Sequence, residues 1–90
     1  MRVRDTIGNY LNGEVVAIEI CNVKGEVSCT NYNTINRLTT ATQLPDRGAY
    51  AGTVFQNLNP GWWHRVSYGV ESRTFYVVDE NSDAYFEFTR

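Results

Sequence analysis

The chain has 90 residues, enough for one domain, and 42% of them are apolar, which fits a folded globular protein and excludes a disordered one. Aromatic residues reach 13%, a large supply of core area for so short a chain. The formal charge of −2 comes with no run of like charge, so the clustered Lys and Arg footprint of a duplex-DNA binder is missing.

The first 13 residues begin Met1-Arg2-Val3-Arg4-Asp5, a basic start that leads into no apolar stretch. No signal peptide is legible, and the expected location is cytoplasmic unless Met1 stands in for a removed leader. Val3, Ile7, Tyr10 and Leu11 fit a short amphipathic helix and a strand entering the sheet equally well; tertiary contacts decide between them.

Glu14 to Asn22 alternates clearly, with Val16, Ile18 and Ile20 on one face and Ala17, Glu19 and Cys21 on the other. Val23 to Val27 then reads as a hairpin turn in which Gly25 takes a positive φ, and a second strand is expected through Val27, Cys29 and Asn31. A three-residue turn places Cys21 opposite Cys29, close enough for a bridge. A two-residue turn places Cys29 opposite Ile20 and gives the better apolar match. That register is the expected one, with both thiols free and buried.

Residues 31 to 37 are polar and Asn-rich, and read as a loop or bulge. Leu38 to Leu44 alternates as a third strand, and Pro45-Asp46-Arg47-Gly48 supplies a turn. Ala49 to Gln56 reads as a fourth strand. Asn57 to Gly61 is a turn that feeds the fifth, in which Trp62, His64, Val66 and Tyr68 share one face and Trp63, Arg65 and Ser67 the other. Arg73 to Val78 is a sixth strand, Asp79 to Asp83 an acidic loop, and Ala84 to Thr89 a seventh strand. No apolar run approaches the ~20 residues of a membrane span.

The chemistry concentrates at Gly61-Trp62-Trp63-His64-Arg65. Seven of the eight basic residues are arginine, the side chain suited to planar, stacked contacts, and Lys24 is the exception. Trp63 and Arg65, two apart on a strand, share a face and can form a stacking platform for a sugar ring, a choline headgroup, a nucleobase or a protein partner. The competing reading makes Trp62 a core residue and Trp63 a partly covered surface ring, and the two readings weigh about evenly.

His64 stands alone in the sequence, and only a fold that brought a partner such as Asp46 or Ser67 to it would make it catalytic, so a structural or surface histidine is expected. Asp79-x-Asn81-x-Asp83 opens like a calcium loop. Ala84 then takes the place of the required glycine and Arg90 that of the bidentate glutamate, so an EF-hand is excluded; a solvated turn is expected, with a looser calcium site in the loop as the alternative. Two cysteines without a second pair do not make a zinc site.

Val15-Val16-Ala17-Ile18-Glu19-Ile20-Cys21-Asn22-Val23-Lys24-Gly25 resembles the strand and hairpin of the actinoporin-like cytolysins, small membrane-binding β-sandwiches. Gly61 to Arg65, followed by Tyr68-Gly69 and Ser72-Arg73, resembles a stretch near the C-terminus of that family. Aegerolysins show a similar hairpin and Trp-rich segment. The matching pieces cover less than half of the chain. The chain is shorter than those proteins and lacks a long N-terminal amphipathic helix. The resemblance therefore implies a headgroup-facing aromatic site at Trp62, Trp63 and Tyr68, without pore formation.

The expected protein is a small soluble all-β domain over residues 1–90, an antiparallel β-sandwich or partly open small barrel of six or seven strands. Its expected role is non-catalytic binding through an exposed face with Trp62, Trp63, Arg65 and Tyr68, joined by Tyr76 or Tyr85, with no cofactor and no metal. A lipid headgroup or membrane surface is the first ligand expected. A glycan is the alternative. A third reading is a protein partner, as for a viral or secreted effector that blocks a host protein. Single-stranded nucleic acid fits less well, because the basic funnel is missing. The sequence sets no oligomeric state.

Overall fold

A computed structural model describes residues 1–25, 29–41 and 51–90. Among them are six strands and no helix: β1 (Arg2–Arg4), β2 (Val15–Cys21), β3 (Tyr32–Thr39), β4 (Trp63–Tyr68), β5 (Glu71–Tyr76) and β6 (Glu87–Thr89). An antiparallel sheet runs β3-β2-β4-β5, and β1 pairs with β6 in a second, two-stranded sheet. The architecture is all-β, as the alternation predicts, and it does not close into a barrel. The small sheet is parallel, which a succession of hairpins does not predict.

The N-terminal segment resolves as strand and turn. Val3 has no exposed surface and pairs with Phe88, so β1 is set by burial. The Asp5 carboxylate then accepts the amides of Ile7 at 3.0 Å and Asn9 at 2.9 Å, and Gly8 takes φ +99°. This local side-chain-to-backbone bonding competes with a helix and wins, which removes the helical option for residues 1 to 13. Behind the turn, Leu11 donates its amide to the Val3 carbonyl at 2.7 Å.

β2 is one of the two inner strands of the large sheet, and residues on both of its faces are buried. Val16 and Ile18 join Val3, Val66 and Phe88 in the core, while Ala17, Glu19 and Cys21 are buried on the opposite face. The expected assignment of these side chains to faces is correct. The continuation is not. The chain leaves β2 through a long loop, closed where Asn22 donates to the Asn31 carbonyl at 3.0 Å, and β3 starts at Tyr32 opposite Cys21.

The polar stretch expected to be a loop is therefore a strand, while Cys29, Thr30 and Asn31 are not. β3 is an edge strand whose residues are mostly exposed, and its ladder with β2 holds it without an apolar face. Asn36 lies opposite Ile18 and Thr34 opposite Glu19, which leaves Ile35 as the extra residue of a bulge.

Cys21 and Cys29 form a disulfide, with their Cα atoms 6.0 Å apart. This corrects the expectation of free thiols. Register followed neither short turn, because the loop between the strands is longer than a hairpin turn and the bridge spans its base. Val27 lies outside the described residues, as do the end of the expected third strand, the Pro45–Gly48 turn and the start of the fourth strand; Leu38 and Thr39 of the expected third strand close β3 instead. The described remainder of the fourth, from Ala51 to Gln56, makes one isolated bridge, Ala41 with Gly52. β4, β5 and β6 fall inside or beside the expected strands.

Candidate functional site

β4 alternates as the sequence requires. His64 and Val66 point to the core, with 0% and 2% exposure. Tyr68 follows them and packs on Phe88, ring centroids 5.9 Å apart, on the core side. Burial, with Glu14 nearby, pushes its hydroxyl above the ordinary tyrosine pKa. Trp63, Arg65 and Ser67 face the other way. The structure thus brings Trp63 and Arg65 together and puts Tyr68 on the opposite side of the sheet. Trp62 precedes β4 and is half-buried in the turn that enters it.

On the outer face, Trp63 lies across the ladder from Tyr76, their rings edge to face at 5.6 Å and 61°. Arg65 sits between Glu19 on β2 and Thr74 on β5. Its guanidinium lies 4.5 Å from the centre of the Tyr32 ring, and its Nε donates to Glu19 Oε2 at 3.0 Å while Nη2 donates to the same oxygen. The other carboxylate oxygen of Glu19 accepts the Ser67 hydroxyl at 2.9 Å. A carboxylate only 7% exposed is tolerated here because both oxygens are occupied and the charge is matched.

The result is a continuous strip: Tyr76 and Trp63, then Tyr32 over the Arg65–Glu19 pair. The hydroxyls of Ser67, Ser72, Thr34 and Thr74 stand on the same face by ladder register. At one end of it Gly25 donates to the Gly61 carbonyl at 3.1 Å, which draws the disulfide-bridged loop over the tryptophan turn. Gly61 has φ +84°, and a Cβ there would come within 2.9 Å of Lys24 Cε. That turn therefore requires glycine. The sequence reading did not single out Glu19 or Tyr32. A lone glutamate inside Val15-Val16-Ala17-Ile18-Glu19-Ile20-Cys21 was the available signal, since a carboxylate in a buried strand calls for a cation.

His64 is a core histidine. Its Nδ1 donates to the Trp62 carbonyl at 3.0 Å, its ring stacks on Phe75 at 5.7 Å, and its Nε2 is buried with no partner among the described residues. Burial lowers its pKa from the ordinary 6.5. Ser67 faces away from it, and Asp46 lies outside the described residues. The Asp79–Asp83 loop bonds to itself: Asp79 accepts the Asn81 amide at 2.8 Å, and the Asp79 amide donates to Ser82 Oγ at 3.0 Å. Among the described residues no group of three or more His, Cys, Asp or Glu is arranged to hold a metal ion.

Two other features lie away from the strip. Glu87 accepts the hydroxyls of Tyr10 at 2.7 Å and Tyr85 at 2.5 Å, and Arg2 lies over both rings at 4.7 and 5.5 Å. These bonds hold the Glu87 carboxyl below its ordinary value, and burial raises the Tyr85 phenol far above its own. This cluster staples the chain ends together. On the core side a cleft of about 740 Å³ opens between the large sheet and the segments around Leu58 and Phe86. Trp62, Trp63, Arg65 and Tyr68 do not line it.

No protein-family model, no curated protein and no solved structure matches this chain. The resemblance to actinoporin-like and aegerolysin-like cytolysins gains no support from them.

Proposed function

We propose that the protein is a non-catalytic binding module whose platform is the outer face of the four-stranded sheet, and that its ligand is a glycan. The observation that carries this reading is the aromatic strip, with Arg37 beyond it on the same face by ladder register. Trp63, Tyr76 and Tyr32 supply ring surface, and the Arg65 guanidinium is already matched by Glu19. An anionic headgroup would have to compete with Glu19 for that guanidinium. A sugar needs only ring faces to stack on and hydroxyl, carboxylate and guanidinium groups to bond, and this strip has them side by side.

The test is a glycan array probed with the wild-type protein and with Tyr76→Ala and Trp63→Ala, each checked for folding by circular dichroism. The reading expects hits that both substitutions abolish. An array without hits, or hits that survive both substitutions, would overturn it. A parallel arm mixes the protein with phosphocholine liposomes. A blue shift of tryptophan fluorescence there, lost in Trp63→Ala and unaccompanied by glycan hits, would put the membrane-surface reading in its place.

A further inference from the structure

The core-side cleft shares Tyr76 with the sheet-face strip but otherwise has its own lining and is built differently. Its volume, about 740 Å³, lies within the roughly 300–1,000 Å³ of small-molecule sites. Its floor is apolar: Ile18 and Val66 from the large sheet, with Phe75 and Phe86 tilted against each other at 5.2 Å. Phe75 is held from behind by the buried His64 ring, so this floor is preformed.

The lip is acidic. Asp79, Glu80 and Asp83 all line the cleft, and none makes an ion pair among the described residues. Elsewhere Glu14, Glu19 and Glu87 each face an arginine, while Asp5 and Glu71 make no ion pair among the described residues. Two cationic groups also border the cleft, and both are engaged. The Met1 ammonium donates to the Thr53 carbonyl at 2.8 Å, and Arg2 lies over the Tyr10 and Tyr85 rings.

We infer that this cleft binds a small amphiphilic organic cation, its apolar body on the Phe75–Phe86 floor and its ammonium group at the Asp79, Glu80 and Asp83 lip. An alkyl or aryl body gains by leaving water, and the ammonium gains from three lip carboxylates that outnumber the two bordering cations and from nearby ring faces. A neutral ligand of the same shape keeps only the first gain. A carboxylate is repelled.

The test measures binding of three matched probes by calorimetry: 4-phenylbutylamine, 4-phenylbutanol and 4-phenylbutanoate. The amine should bind about tenfold more tightly than the alcohol, the sum of several weak charge and ring contacts, and the carboxylate more weakly than either. Glu80 and Asp83 are exposed, so the double variant E80Q/D83N should fold normally. It should bring the amine down to the affinity of the alcohol. Leu58→Trp, which fills the cleft, should weaken amine and alcohol together. Equal affinity for amine and alcohol, an amine affinity unchanged in E80Q/D83N, or no binding of any probe would overturn the inference. Each of these results leaves the glycan reading intact, because Trp63, Arg65 and Tyr32 of the strip do not line the cleft.

Discussion

At the residue scale, His64 shows most clearly what burial does to chemistry. The neutral ring is satisfied at Nδ1 by Trp62, but a proton at Nε2 would find no acceptor among the described residues. Its folded pKa therefore lies below the unfolded value near 6.5. The sign follows from that. The contribution of His64 to stability is complete above pH 6.5 and is lost as the pH falls from there through the folded pKa. Urea midpoints measured from pH 8 down to 4.5 should decline, with a limiting slope of about 1.4 kcal/mol per pH unit. The depressed carboxylates Asp5 and Glu87 titrate lower, so this window belongs to His64. His64→Phe should flatten the profile. A profile equally steep in that variant would contradict the assignment. The sequence put His64 on one face with Val66, because side chains two apart on a strand share a face, but alternation alone did not say which face is inside; burial of both shows that it is theirs. The same alternation separated Trp63 and Arg65 from Tyr68. The Glu19 partner of Arg65 was not legible, because it lies 46 residues away and reaches Arg65 only through ladder register.

At the scale of elements, the loop from β2 to β3 carries the lesson. Local turn rules favoured a tight hairpin at Gly25, and Gly25 does have positive φ, +129°. It lies within a longer excursion whose base is bridged by Cys21 and Cys29. Loop length is not a local property, so residues 31 to 37 could not be recognised as a strand: β3 has no apolar face to announce it. The bridge closes a short loop and should stabilise the protein by about 2.5 kcal/mol through the unfolded chain. The double variant C21S/C29S should lower the urea midpoint accordingly, and dithiothreitol should have no effect on that variant. Because the loop meets the tryptophan turn through the Gly25–Gly61 bond, the variant should also change tryptophan emission. Wild-type emission in C21S/C29S would show that the loop does not support the turn.

At the scale of the whole molecule, two layers do two jobs. The parallel pair β1–β6 joins the chain ends over the core through Val3 and Phe88, with no exposed surface on Val3 and 1% on Phe88. The pairing of the first strand with the last was beyond the reach of sequence periodicity, which finds strands but not their partners. It leaves one face of the large sheet to the core and the cleft, and the other to the aromatic strip. The central claim is that this outer face is where the ligand sits. The direct measurement is a ¹H–¹⁵N titration of the protein with a glycan that scores on the array. The account predicts shifts at the Trp63 indole and at the amides of Arg65, Thr74 and Tyr76, while Phe86 and the Asp79–Asp83 loop stay still. Shifts centred on the cleft side, with Trp63 and Tyr76 unmoved, would contradict it.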